Sequence, residues 1–158
     1  MKLVDEIRKQ LGEQWIASIY KERVRSQRTR ACHLDIPTRE NRPDILHTLL
    51  GIELKVGNSR FACPDLATAR YLKVFARVGC SDFAVPYDIT KISLIADDLE
   101  TAWHQMFLLL DGEMKGREMS AKGRMRAALV RELRSEIEAV GAGDTMPAFD
   151  RPTKQRTR

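Results

Sequence analysis

Between Gly51 and Val56 the residues alternate in character: Ile52, Leu54 and Val56 are apolar, Glu53 and Lys55 are charged. A period of two belongs to a strand, so the apolar side chains point to one face and the two ions to the other. Upstream, Pro43-Asp44-Ile45-Leu46 begins a second short apolar run, and residues 47–50 suit the turn of an antiparallel hairpin. Such a hairpin draws Asp44 toward Glu53. Ions on the edge of an apolar strand are costly to place without compensation, and metal-assisted chemistry is one compensation. The plainer reading is an exposed hairpin carrying a Glu/Lys pair.

The flanking segments set the fold class. Leu3, Val4, Ile7, Leu11, Trp15 and Ile19 recur at three and four residues, which predicts an amphipathic helix over the first 24 or so residues, loosened at Gly12. At about 100° per residue Glu22 falls on the side of Val4, Leu11 and Trp15, facing inward or toward a site edge. Its alternative is a helix-end carboxylate paired with Lys21 or Arg25. Residues 26–30 read as a basic loop, and Cys32, Leu34 and Ile36 as a strand ended by Pro37. After the hairpin, residues 57–60 read as a loop. Pro64 and Asp65 open a helix with Leu66, Ala69, Leu72 or Tyr71, Phe75 and Ala76 on its apolar face, stopped by Gly79. Phe83, Val85 and Tyr87 alternate as another strand, and Asp88 or Thr90 caps a helix carrying Ile92, Ile95, Leu99, Trp103, Met106 and Leu110.

The order is helix, three strands, helix, strand, helix: an α/β core over residues 1–110. A linker at 111–116 leads to a further helix, within residues 111–141, whose Met125, Leu129, Leu133, Ile137 and Val140 either dock on the core or meet a second copy. Arg124, Arg126, Arg131 and Arg134 decorate its other sides. Residues 142–158 read as a flexible basic tail.

Length and composition narrow the function. A chain of 158 residues is about one domain, and no apolar run approaches a membrane span. The opening lacks a signal peptide's apolar centre, so the expected compartment is the cytoplasm. Cys32, Cys63 and Cys80 are widely spaced without a C-x-x-C, which argues for buried thiols over a disulfide framework or zinc site. His33, His47 and His104 show no zinc spacing, and no phosphate-binding glycine motif occurs. A net charge of +5 suits a polyanionic partner. Residues 21–42 concentrate Arg23, Arg25, Arg28, Arg30, Arg39 and Arg42 directly before Asp44, as expected of a phosphate-contacting segment; the plainer reading is a solvated charged face. Trp15, Trp103, Phe75 and Phe83 fall in core-like patterns, which argues against a base-stacking platform.

Pro43-Asp44, followed by Glu53-Leu54-Lys55 at the end of an apolar run, resembles the signature of the PD-(D/E)xK nuclease superfamily. The resemblance implies a restriction-endonuclease-like αβββαβ core with a mixed sheet flanked by helices, here with an added C-terminal helix. It implies a metal-dependent DNA endonuclease, with Asp44 and Glu53 as metal ligands, Glu22 as a third, and Lys55 beside the attacking water. Two carboxylates about 4 Å apart repel by roughly 4 kcal/mol at an effective dielectric near 20, which favours a cation between them. Mg2+ prefers oxygen ligands and keeps waters, and Mn2+ is the expected substitute.

Glu22-Arg23 resembles a Glu-Arg pair in the archaeal Holliday junction resolvases, the most specific version of this reading, and one that implies a homodimer. Here the pair sits late in a long helix, and the basic glycine-containing segment that precedes it in those resolvases is absent. A restriction or repair nuclease is a close alternative. A non-cleaving nucleic-acid-binding or assembly subunit on the same fold is the alternative of another class. RNA stays open as a substrate, because phosphate contacts do not report the sugar.

Overall fold

A computed structural model describes residues 2–36 and 42–143. The fold is α/β, with antiparallel strands and packed helices. The N-terminal segment is not one helix. Helix α1 (Lys2–Leu11) buries Val4, Ile7 and Leu11, as their spacing predicts. Gly12, at φ +54°, opens a 3-10 turn (Gly12–Gln14), and Trp15 is extended. Helix α2 (Ile16–Ile19) then runs into a π-helical turn (Tyr20–Val24). Each change resets the angular register, so a projection from Val4 to Glu22 fails. Tyr20 and Val24 are buried, and Glu22 is exposed.

Strand β1 (Thr29–His33) starts three residues before Cys32, and its Thr29 is buried. Strands β2 (Asp44–Thr48), β3 (Gly51–Val56) and β4 (Ser59–Cys63) form an antiparallel meander. The fourth strand corrects the sequence reading, which placed residues 57–60 in a loop. Gly57, at φ 60°, and Asn58 alone make the turn, and Ser59 already pairs with Val56. Strand β5 (Asp82–Pro86) pairs antiparallel with β1. Every strand pairing among the described residues is antiparallel, in two sheets, where the resemblance implies one mixed sheet.

Helix α3 (Leu66–Val78) begins at Asp65, whose carboxylate accepts from the Thr68 N–H at 2.7 Å, as a capping residue should. Its Phe75 stacks on Phe83 with centroids 4.6 Å apart. Around this pair the hydroxyls of Tyr20 and Tyr71 take both main-chain groups of Ala84: Tyr20 accepts from its N–H at 2.9 Å, and Tyr71 donates to its carbonyl at 2.7 Å. Buried backbone polar groups are costly to leave unpaired, so these bonds complete β5 on its edge away from β1.

Helix α4 (Ile89–Glu113) runs past residue 110 and includes part of the expected linker. It is tied to α3 by Arg70, which donates to Asp97 and Glu100. Helix α5 (Met119–Val140) buries Leu129, Leu133 and Ile137 in the same core, each such burial contributing about 1.5–3 kcal/mol. Of the two expectations for this helix, the structure shows the docked one. The Glu136 carboxylate receives Arg8 from α1 and the Trp15 indole N–H at 2.9 Å. Tyr20 donates to the Gly141 carbonyl at 2.6 Å. The basic tail beyond Gly143 and Arg39 both lie outside the described residues. Among those described, no helix is long and apolar enough to cross a membrane.

Candidate metal and nucleic-acid site

The β2–β3 ladder sets Asp44 opposite Lys55 and Leu46 opposite Glu53. Directly paired residues share a face, so Asp44, Glu53 and Lys55 project together from the side away from Leu54 and Val56, which are buried. Asp44 and Glu53 are diagonal neighbours, a relationship in which long side chains reach one another across about 7–8 Å. The hairpin thus brings Asp44, Glu53 and Lys55, three of the four predicted site residues, to one face around a turn at Leu49-Leu50.

Strand β4 adds a member the sequence reading missed. Arg60 lies opposite Lys55, and its guanidinium reaches the Glu53 carboxylate at 3.4 Å. The polar face is therefore two carboxylates interleaved with two cations. Glu53 is the more enclosed partner, with its side chain 22% exposed against 56% for Arg60. Asp44 is exposed and accepts from the Ile45 N–H at 2.9 Å.

Glu22 is placed elsewhere. It lines a cleft with Arg23, Ser26 and Gln27 from its own segment and Lys91, Leu94 and Ile95 from α4. Among the described residues no group of three or more His, Cys, Asp or Glu side chains is arranged to hold a metal ion. The donor set at the hairpin is two carboxylates. Two carboxylates do not form an all-protein cage; an oxygen-preferring ion such as Mg2+ held by them would need further ligands from elsewhere.

The arginines expected to hold phosphate divide by what they touch. Arg23 pairs with Asp98 of α4. Arg25 donates to the Gly143 carbonyl and to the Thr29 hydroxyl, and so ties the π turn to the end of α5. Arg28 lies over the Tyr87 ring, 4.6 Å from its centroid. Arg30 is half-buried on β1. Arg42 is exposed just before the site and lines a second, larger cleft of about 670 Å³ between α3, α4 and α5.

That cleft was not foreseen. Its cations are Arg42, Arg77, Arg126, Arg131 and Arg134, and Trp103 and Phe107 form its aromatic wall. No acidic side chain lines it among the described residues. The sequence places Arg126, Arg131 and Arg134 on α5 away from its apolar stripe. Their convergence with Arg77 depends on how α3 and α5 pack. Trp15, Phe75 and Phe83 are buried as their patterns predict, but Trp103 and Phe107 are half-buried and face this cleft.

No family model, curated protein or solved structure matches this chain.

Proposed function

We propose that this chain is a metal-dependent DNA endonuclease with a restriction-endonuclease-like core. The observation that carries the reading is the single hairpin face on which Asp44, Glu53 and Lys55 stand together. The sequence of helix, hairpin, helix, strand and helix supports the same core, with β4 and the antiparallel β1–β5 pair as departures from it.

Asp44 and Glu53 would hold Mg2+, or Mn2+ in its place. Such an ion, when bound, lowers the pKa of a water and neutralises charge on the phosphate. Lys55, opposite Asp44, places an ammonium where it stabilises a hydroxide and the negative charge that builds on the phosphate oxygens. Glu53 must exchange its partner Arg60 for the ion. Once displaced, Arg60 is positioned to bind the scissile strand's phosphate. Glu22, facing the α4 cleft, is left out of this set.

The most specific substrate version is a four-way DNA junction cut by a homodimer. A restriction or repair role rests on the same face. The Glu53–Arg60 pair and the two-carboxylate donor set favour, as a second reading, a nucleic-acid-binding or assembly subunit that does not cut.

Cleavage of labelled four-way junction, flap, duplex and single-stranded DNA with Mg2+, Mn2+ or chelator decides between these. Metal-dependent cutting that disappears in both Glu53→Gln and Lys55→Ala, with the fold retained, is the expected result. Paired symmetric nicks in the junction would establish the resolvase version. Tight, salt-sensitive binding without cutting by the parent would leave the second reading.

A further inference from the structure

We infer that the arginine-lined cleft between α3, α4 and α5 binds a single-stranded nucleic-acid segment, with its phosphates on the arginines and a base against Trp103. The inference rests on the nucleic-acid part of the proposed function and not on cleavage.

Several features of the cleft point to a ligand rather than to a merely solvated basic face. Arg77 and Arg131 line it without an ion pair or hydrogen bond from either side chain among the described residues. Arg126 and Arg134 are held in place. The Arg126 guanidinium lies over the Phe107 ring, 4.1 Å from its centroid, and reaches Asp111 at 3.7 Å. Arg134 donates to the Val78 carbonyl at 2.9 Å. It approaches so close to Gly79 that a Cβ there would lie 2.9 Å from its Nε. Gly79, at φ 92°, thus both ends α3 and leaves room for a fixed guanidinium. Of the five clustered cations only Arg126 has a carboxylate partner among the described residues, so the cleft presents a positive potential that attracts an anion.

The spacing selects a strand over a lone phosphate. Arg126 and Arg134 are two turns apart on α5, about 12 Å at 1.5 Å per residue, which exceeds the width of one phosphate group. Gly123 and Ala127 put little side chain into the α5 side of the cleft. Trp103 and Phe107 meet edge to face at 4.9 Å, and one half-buried indole borders the cations. Cationic grooves with an aromatic surface are how proteins hold unpaired strands, because every base has a stackable face while a duplex keeps its bases inside. Arg42 joins this cleft two residues before Asp44, so a strand leaving it is directed toward the hairpin.

The test is binding in chelator, where no cutting occurs. A fluorescently labelled single strand and the duplex of equal length are titrated with the parent, Arg77→Ala/Arg131→Ala, Arg124→Glu and Trp103→Phe proteins. Arg124 is an exposed α5 residue outside the cleft and controls for net charge. The single strand should bind more tightly than the duplex. The double variant should bind it at least about tenfold more weakly, with a salt slope smaller by about two, while Arg124→Glu changes little. Single strand should also quench the parent's tryptophan emission. That quenching should vanish in Trp103→Phe, whose remaining tryptophan, Trp15, is 1% exposed.

Equal weakening by the double variant and Arg124→Glu, or no weakening by either, would overturn the inference. So would equal binding of duplex without quenching, or displacement of the strand by a mononucleotide at similar concentration, which would make the cleft a nucleotide site. If the parent shows the expected binding pattern but never cuts DNA, the nuclease reading fails and this one stands. Metal-dependent cutting that survives with the arginine pair irrelevant to binding would do the reverse.

Discussion

Glu53 on β3 is ion-paired to Arg60 on β4 at 3.4 Å, so the carboxylate best placed beside Asp44 for a metal ion already has a cation. A divalent ion must compete with that guanidinium. Arg60→Ala removes the competitor and one positive charge about 4 Å away, an effect on the order of 1 kcal/mol in a solvent-exposed setting and roughly fivefold in metal affinity. Mn2+ titration followed by calorimetry should show tighter binding to Arg60→Ala than to the parent, and none to Glu53→Gln. Thermal stability should change by less than about 1 kcal/mol, because exposed ion pairs contribute little. Equal Mn2+ affinity in parent and Glu53→Gln would remove this hairpin from the metal-binding reading.

A second prediction concerns how α5 is held. Glu136 accepts from the Trp15 indole at 2.9 Å and from Arg8 with its other oxygen, and Trp15 is buried. The bond to Arg8 holds that guanidinium's pKa above its usual value. Removing the carboxylate leaves a buried indole N–H without an acceptor, which costs about 1–3 kcal/mol. Glu136→Ala should therefore lower the urea unfolding free energy by that amount. Glu136→Gln, which keeps a carbonyl acceptor for the indole, should lose less. Similar losses in the two variants would mean that the charge, not the indole bond, is what docks the helix.

The contrast between these sites shows what the sequence made legible. The hairpin was readable because strand alternation is local: Ile52, Leu54 and Val56 against Glu53 and Lys55 fixes the face, and the turn fixes the register. Arg60 was missed because Ser59 and Arg60 follow Gly57-Asn58 and look like more loop, and only pairing to Val56 and Lys55 makes them strand. Glu22 was misplaced because the projection assumed one helix, while Gly12 at positive φ and the π turn at Tyr20 twice changed the rotation. The cleft arginines come from the approach to β2, from α3 and from α5. No periodicity within a segment reports that kind of convergence.

The start of α3 offers a test of local capping. Asp65 accepts from the Thr68 N–H through Oδ1, and its Oδ2 is buried without a partner among the described residues. Asp65→Ala removes the cap and should cost about 1 kcal/mol, within the 0.5–2 kcal/mol typical of such caps. Asp65→Asn keeps the accepting oxygen of the cap and should therefore lose less stability than Asp65→Ala. A parent-like Ala variant in chemical denaturation would show that Pro64 and packing alone fix this helix start.

Alkaline pH should destabilise the fold from a definite point. Burial pushes the Cys80 thiol from 9.0 up to about 12, with Glu138 raising it further and Arg134 opposing. Burial also raises Cys32, Cys63, Tyr20 and Tyr71. An acid with a raised folded pKa keeps its proton in the native state after the unfolded chain has lost it. Below about pH 8 these thiols are protonated in both states and contribute no slope. Above about pH 9 the unfolded state binds fewer protons, so stability falls by up to about 1.4 kcal/mol per pH unit for each such group. The tyrosines join only above about pH 10, which leaves pH 9 to 10 as the window dominated by the cysteines. Urea unfolding across that window should show a decline that is shallower in Cys80→Ala, whatever that variant loses in absolute stability from its missing sulfur. Parallel pH profiles for parent and variant would mean that Cys80 ionises as readily in the native protein as in the unfolded chain, and that the core around β5 and α5 admits water.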